Sequence, residues 1–436
     1  MAKHPFLKSI QPVNLLSFGP KTEPIELRPL NILIGPNGSG KSNLIEIIGL
    51  LSKLPDKDPW SRIIQTGGAQ EWTWKGKNAE GIQPSLTVIT SKSEQAAVGA
   101  NEQATLGGTE QTQLGMLYRL LHADKSSLFY SISLSQENGR FSVENENFQE
   151  LNDGRNADAT DAEPFDRVGR RPRGLGSTLR WSKQQLSGQA EDQNPGRSVL
   201  SMLGNEPTIA ERWPRMVELA NEIERFAFYR DWVFGSRSEV RDVQPVGFDS
   251  YRLAEGSINL AQVLKAMRDR GDASVFERLL GLLRKFYEPV KDVDTELVGT
   301  HLRIMIKEEG LSSRTPAERL SDGTLRWLML LIILLDPTPP PVICIEEPEL
   351  GLHPDAIHTL ADLLIDASTR TQLIVTTHSD ALLDAFTDTP EDVCVCEKVE
   401  GATRIQRLDK QRLKAWLDDY SLGQLWAKGE IGGNRW

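Results

Sequence analysis

Residues 35–42 read GPNGSGKS, preceded by LNILI (30–34) and followed by SNLIEIIGLLSKL (42–54). The octet fits G-x-x-x-x-G-K-S/T. Its flanks read as a buried strand and an amphipathic helix, the context that this motif requires. Gly35, Gly38 and Gly40 let the backbone curl so that N–H groups point inward at phosphate oxygens. The helix behind them adds the positive end of its dipole. Lys41 offers a point charge to β- and γ-phosphates, and the Ser42 hydroxyl offers a magnesium ligand. The candidate nucleotide-binding residues here are Gly35, Asn37, Gly38, Ser39, Gly40, Lys41, Ser42 and Asn43. The cofactors that this chemistry takes are ATP and Mg²⁺.

Two later stretches have the same strand-then-turn form. In VICIEEPELGLHP (342–354) an apolar strand ends in two adjacent glutamates. Acids terminating a fully apolar strand need a counter-charge, for which Mg²⁺ is suited. Alternation along a strand predicts that the two point to different sides and do different work. Glu346 is the expected metal ligand, and Glu347 the group that polarises an attacking water. Pro354 is expected as the first residue of the next helix. QLIVTTHSDALL (372–383) is again strand, turn and helix. It places His378 beside Glu347 if the two strands are neighbours. His353 reads as part of a turn and His358 as a helix-surface residue.

RLSDGTLRW (319–327) precedes the apolar TLRWLMLLIILL. Ser321 and Asp322 are suited to cap that helix. Ser321 and the Gly323 backbone then form an anion-binding corner at its start.

The remaining text bounds the setting. At 436 residues the chain exceeds one compact core, so a composite domain or two lobes is expected. A net charge of −11 argues against coating nucleic acid over the whole surface, but not against a local basic patch. Cys344, Cys394 and Cys396 lie in strand-like apolar text and read as buried thiols in a reducing cytosol. MAKHPFLKSI has no signal-like apolar region, and LMLLIILL is too short to span a bilayer. The expectation is a cytoplasmic protein with no membrane partner.

Strand candidates before the first motif are LKSIQPVNLLSF and PIELRPL; EWTW, PSLTVIT, SLFYSISLS and GRFSV follow it. Residues 144–166 carry eight acids and one arginine, whereas 167–183 carry six basic residues and no acid. Both read as a mobile, self-compensating insertion, with an arm for nucleic acid or a partner as the sharper alternative. Helices are expected in TIAERWPRMVELANEIERF, NLAQVLKAMRDRG and VFERLLGLLRKFYEPV. The last third alternates strand and helix as a parallel sheet does.

These elements, in this order, resemble the ATP-binding-cassette (ABC) ATPases, and within them the SMC, RecF and OLD-like branch. The resemblance covers roughly 1–90 and 200–436. Shared text with stand-alone predicted ATPases of the AAA15/AAA21 kind includes SINLAQVL (258–265), IEEPELGLHP and YSLGQLWAKGEIGG (420–433). The resemblance makes LSDGT (320–324) the signature motif, puts the D-loop in EPELGLHP and makes His378 the switch histidine. Glu346 stands where an aspartate is usual, and Asp322 replaces the first glycine of the signature pair. The Q-loop glutamine is not assigned; Gln65 is a weak candidate for it. About sixty residues follow His378, too few for the TOPRIM nuclease domain of OLD proteins.

The expected fold is α/β: an ABC-type (P-loop NTPase) core with a mainly parallel sheet flanked by helices, an N-terminal antiparallel β-lobe and a large mixed or helical insertion. The expected division is as follows. Residues 1–90 form the N-terminal part of the ATPase head, and 91–206 an insertion with strands and a mobile acidic and basic loop. Residues 207–300 form a helical subdomain, and 301–436 the C-terminal part of the head. The resemblance implies ATP hydrolysis in a head-to-tail dimer, with Ser321 and Gly323 facing the γ-phosphate held by a second copy. Its expected partners are itself, as a dimer or higher homo-oligomer, and a separately encoded effector such as a TOPRIM-type nuclease or a toxin, in anti-phage defence. The alternative is a RecF- or SMC-like ATPase that binds DNA, motivated by Arg170, Arg171 and Arg173. A transporter subunit fits worst, given the long 90–300 insertion. The segment 420–433 is expected to dock Trp426 and Ile431 on the core.

Overall fold

The computed structural model describes residues 5–76, 84–90, 127–137, 140–151, 178–182, 198–202, 214–230, 232, 235, 238–247, 252–269 and 273–433. With elements numbered along the chain, a central sheet has the spatial order β16 (Ala402–Arg407), β15 (Val393–Val399), β3 (Leu30–Ile34), β14 (Gln372–Thr376), β13 (Val342–Glu346) and β8 (Ala227–Tyr229). All its pairings are parallel except that of the edge strand β16. An antiparallel sheet runs β2 (Ile25–Glu26), β1 (Leu7–Val13), β4 (Ser85–Thr90), β5 (Ser127–Glu137), β6 (Arg140–Leu151) and β7 (Thr178–Ser182). In a third sheet β11 (His301–Glu308) pairs β10 (Val290–Val298), β12 (Thr315–Pro316) and β9 (Gln244–Pro245). The helices are α1 (Lys41–Lys53), α2 (Ser61–Gln65), α3 (Ala69–Trp72), α4 (Val199–Met202), α5 (Pro214–Glu224), α6 (Leu260–Asp269), α7 (Ala273–Phe286), α8 (Asp322–Leu334), α9 (Asp355–Ala367), α10 (Asp380–Asp384), α11 (Lys410–Leu417) and α12 (Leu422–Lys428).

The central strands are apolar throughout because both faces are covered, the usual state of a parallel sheet. Alternation sorts their residues between two cores. Ile32, Ile34, Ile343, Ile345, Leu373 and Val375 face a core shared with α6 to α10. Leu33, Val342, Cys344, Ile374, Cys394 and Cys396 face a second core, built with α1, α5 and the antiparallel sheet. The three cysteines are free and buried, and the Cys394–Cys396 pair shares one strand face as its spacing predicts. Strands β5 to β7, from the segment expected as an insertion, extend the same antiparallel sheet as β1 and β4.

The two sheets are tied by a side chain acting as strand backbone. Gln372, only 3% exposed, accepts from Leu7 N (2.8 Å) and donates to Leu7 O (2.9 Å) and Arg28 O (3.0 Å). A buried peptide group needs such partners, and β1 finds them here at its first residue.

Two sequence expectations need adjustment. EWTW is not a strand: Ala69–Trp72 is a helical turn, and Thr73 makes only an isolated bridge to Leu15. Two aromatics at alternate positions mimic a half-buried strand, but here Trp72 and Trp74 pack as separate plugs. Pro354 is the N-cap of α9 rather than its first residue, although its backbone (φ −50°) is already helical. Most of the acidic and basic blocks, including Arg170, Arg171 and Arg173, lie outside the described residues. Among the described residues no helix is long and apolar enough to cross a membrane.

Replacing Gln372 by Ala leaves the Leu7 amide and carbonyl buried without partners. The expected loss is about 2–4 kcal/mol of unfolding free energy, read from urea denaturation. A loss under about 0.5 kcal/mol would mean that β1 is held by its strand neighbours alone.

Candidate functional site

The strand β3 delivers the chain into the glycine loop at the C-terminal edge of the central sheet. Gly35, Gly38 and Gly40 have φ of 144°, 76° and 104°, where side-chain-bearing residues are strained. Two of them also lack room. A Cβ at Gly35 would lie 2.2 Å from Cys396 O, and one at Gly40 would lie 2.1 Å from Thr403 Oγ1. Thr403 braces the loop by donating to Ser39 O (2.8 Å). No side chain caps α1 at Gly40, so its first amide groups remain directed at the loop. Lys41 is 7% exposed, and its Nζ donates to Gly35 O (2.7 Å) and Pro36 O (3.0 Å). Burial lowers its pKa, against the pull of Cys396, Glu347 and Glu346. A desolvated cation inside a ring of amide groups is an anion site.

The acidic end of β13 lies beside this loop, because β14 separates β13 from β3. Glu346 ends the strand on the Val342–Cys344 face, the face that α1 covers. Glu347 does not continue the strand alternation, as its sequence suggested. Its φ is +45°, and its N–H donates to Thr376 O (3.0 Å) of the neighbouring strand. The strand thus ends at Glu346, and Glu347 sits in the left-handed region. A non-glycine residue held there is a cost that functional sites often carry.

His378 lies where the sequence places it, with Nε2 3.8 Å from Glu347 Oε1. Its loop is pinned by Glu349, whose Oε1 accepts from Thr377 Oγ1 (2.6 Å) and His378 N (3.1 Å). Burial pushes the Glu349 carboxyl above its ordinary value.

Ser321 is the N-cap of α8 and accepts from Thr324 N (3.0 Å). Gly323 packs against the loop between β13 and α9, where a Cβ would meet Gly351 O at 3.0 Å. Asp322, the departure from the signature pattern, has a local use. Its Oδ1 accepts from Arg241 Nη2 and from Gly235 N (3.1 Å). Arg241 also donates to the carbonyls of Glu318 and Leu320, so it fastens the corner from outside. That hydrogen bond holds the Asp322 carboxyl below its usual range.

Several site residues had no signal in the sequence. Arg326, one turn into α8, donates to Glu347 O (3.0 Å) and lies 4.7 Å from the Trp232 ring centre. Burial lowers its pKa to about 10. Trp232 Nε1 donates to Glu346 O (2.7 Å). Arg230 follows β8 one residue past the Ile345–Tyr229 pair, level with Glu346. Its side chain is 7% exposed, with Glu46 Oε1 at 3.8 Å and Glu255 Oε1 at 3.9 Å. These residues come from a strand end and a helix interior with no glycine-rich or acidic spacing to mark them. Gln65 is exposed at the end of α2. His358 is exposed on α9 as expected.

The donors available to a cation are hard oxygens, the Ser42 hydroxyl and the Glu346 carboxylate. Among the described residues no cluster of three His, Cys, Asp or Glu could cage a metal. The hydroxyl and carboxylate suit Mg²⁺, which takes one or two protein oxygens and completes its shell with water and phosphate.

Known proteins match this architecture. The family model described as "AAA domain, putative AbiEii toxin, Type IV TA system" matches residues 30–384. No curated protein matches the chain. Among solved structures, an SMC head bound to the C-winged helix domain of ScpA aligns with a TM-score of 0.51 at 13% identity, over 94% of this chain and 100% of that one. An SMC head with an extended coiled coil, bound to the C-terminal domain of ScpA derived from Pyrococcus furiosus, gives 0.47 at 14% identity, over 95% and 99%. The SMC head domain from Thermotoga maritima gives 0.38 at 16% identity, over 93% and 99%. The first of these shows the fold to be that of an ABC-type head.

Glu349 yields a stability test. Below pH 4.5 it is protonated whether folded or not; between 4.5 and its raised value the folded state binds the extra proton. Stability contributed by this residue therefore falls as pH rises through that window. Glu349→Gln keeps the Oε1 acceptor and cannot ionise. Thermal melts from pH 4 upward should show a shallower decline for the variant than for wild type. Parallel curves would mean that Glu349 titrates normally.

Proposed function

The chain belongs to the AAA_21 family and has the ABC-type head fold, and on that premise we propose that it binds and hydrolyses ATP between two copies arranged head to tail. The observation that carries this reading is the meeting of Lys41, Glu347 and His378 at one sheet edge, with Glu347 and His378 3.8 Å apart. In this reading Lys41 exchanges its bonds to Gly35 and Pro36 carbonyls for β- and γ-phosphate oxygens, and the amide groups of 37–43 take the remaining phosphate charge. Ser42 and Glu346 would hold Mg²⁺, which neutralises phosphate charge when bound. Glu347 accepts a proton from the attacking water. His378 hydrogen-bonds the γ-phosphate or that water. Arg230, beside Glu346, adds positive charge to the same corner.

Ser321 and the Gly323 N–H supply the phosphate corner of the other copy. The cap contact to Thr324 N leaves Ser321 at the helix start, where the dipole favours an anion. Arg326 then links that corner, through α8, to the Glu347 backbone of its own copy.

The wider role in this reading is control of a separately encoded effector, a nuclease or toxin, in bacterial anti-phage defence. Two points support it: the family's description names a type IV toxin–antitoxin system, and an SMC head of this fold is described bound to a domain of another protein. Residues 1–90 and 301–436 would form the head, with 91–206 and 207–300 as its insertion and helical subdomain. A cytoplasmic location suits such a partner. The second reading, an ATP-dependent clamp on duplex DNA, rests on the arginines of 167–183. ATP-dependent DNA binding at low salt, weakened by neutralising Arg170, Arg171 and Arg173, would favour it.

Two variants test the ATPase. Glu347→Gln should bind ATP, lose at least about 100-fold in turnover and accumulate as an associated species in size-exclusion chromatography with ATP and Mg²⁺. Normal turnover would remove Glu347 from its role. Ser321→Arg should keep folding and ATP binding by single copies, yet lose ATP-dependent association and hydrolysis. If the Ser321→Arg protein still associates and turns over, the trans contact is wrong.

A further inference from the structure

The segment from Ser421 to Gly433 has no part in the chemistry above, yet it touches the phosphate loop at Gly35 and the helix α10 that follows the His378 loop. Its helix α12 has defined ends: a capping box between Ser421 and Gln424, and Gly429 in a left-handed cap. Leu422, Leu425 and Trp426 are buried in the core that also holds Leu382, Leu383 and Phe386. Gly423 sits so close to α10 that a Cβ would lie 2.5 Å from Asp380 O and from Asp384 Oδ1. Its N–H donates to Asp384 Oδ1 (2.8 Å), and Leu422 N donates to Thr387 Oγ1 (3.1 Å). The helix α10 begins directly after His378, with Ser379 as its N-cap.

The other end of the segment meets the phosphate loop. Trp426, 2% exposed, donates from Nε1 to Gly433 O (2.8 Å), and Gly433 N donates to Glu397 Oε1 (2.7 Å) of β15. This closes a turn in which Gly432 and Gly433 have φ of 80° and 62°. A Cβ on Gly433 would come 3.2 Å from Gly35 Cα and 2.9 Å from Val395 Cγ1. Gly35 is thus wedged between Cys396 O on one side and Gly433 on the other. Its carbonyl is also the acceptor for Lys41 Nζ.

We propose that residues 421–433 are a positioning element of the nucleotide site, which fixes the Gly35 end of the phosphate loop relative to the His378 loop. The proposal rests on the ATPase reading. The two loops are far apart in sequence, and this segment is seated on the first and on the helix α10 that continues from the second. A shift of Gly35 carries the acceptor of Lys41 with it. A shift of α10 alters the distance between His378 and Glu347. Displacements of about 1 Å at such positions can cost about 100-fold in rate.

The test uses the full chain. Trp426→Phe keeps a ring in the core and removes the N–H that holds Gly433. Gly433→Ala puts a methyl group against Gly35 and Val395. Gln372→Ala is the control: it destabilises the fold at the β1 end of β14, away from the loops. ATP affinity is measured with a fluorescent ATP analogue and Mg²⁺, turnover by phosphate release, and stability by thermal melting. Trp426→Phe and Gly433→Ala should raise the dissociation constant or lower kcat/KM by about tenfold or more, while melting no lower than Gln372→Ala. Gln372→Ala should bind and turn over as wild type does. Wild-type affinity and turnover in Trp426→Phe overturn the proposal, and so does an equal loss in Gln372→Ala. Should Gly433→Ala fail to fold, Trp426→Phe carries the same readouts. Wild type that binds no more ATP analogue than Lys41→Ala would overturn the ATPase reading itself, and this proposal with it.

Discussion

The parallel register of Val342–Glu346 on Gln372–Thr376 is the pairing on which the candidate site depends. It is unshifted from end to end, so both strands stop at one level. Glu347 then turns back onto Thr376, and His378 emerges beside it. The same strand β14 pairs β3 on its other side, which sets the glycine loop at that level too. A slip of one residue in either pairing would reverse every core-facing side chain, so the burial of both faces locks the register. The apolar content of these strands is therefore also what holds the acids and Lys41 in reach of one another.

Charge at that edge is balanced by arrangement rather than by simple pairs. Lys41 and Arg326 are buried cations, each with a lowered pKa. Both bond to main-chain carbonyls. Trp232 fixes the carbonyl of Glu346 while its ring faces Arg326. Hydrogen bonds from a buried cation to backbone carbonyls are strengthened by the low local dielectric.

Much of this was legible in the sequence, for physical reasons. Glycines at 35, 38 and 40 announce backbone conformations that other residues resist, and GKS after a strand admits few other readings. The strand ending in Glu346 and Glu347, and the turn bearing His378, were visible because apolar runs rarely end in such groups. The two glutamates were read as consecutive residues of one strand, whereas the strand ends at Glu346 and Glu347 sits in the left-handed region. Arg230, Trp232, Arg241, Arg326 and Glu349 were illegible because their roles depend on which strands and helices become neighbours. The aromatics of EWTW misled for a related reason: their alternation satisfies separate plugs as well as a strand. Asp322 looked like a defect in a motif until Arg241 stood beside it.

The two neighbours of β3 come from far down the chain, β14 at 372–376 and β15 at 393–399, and Gly433 seals the loop that follows. During synthesis the phosphate loop leaves the ribosome more than 300 residues before its supporting strands do. Contacts of such separation form late and slowly. An unfinished chain therefore holds its first strands without the sheet that shapes them. A fragment that ends before residue 372 lacks both strands that flank β3. It also exposes a bare apolar strand, which makes it a substrate for chaperones and proteases rather than a competitor for the finished protein.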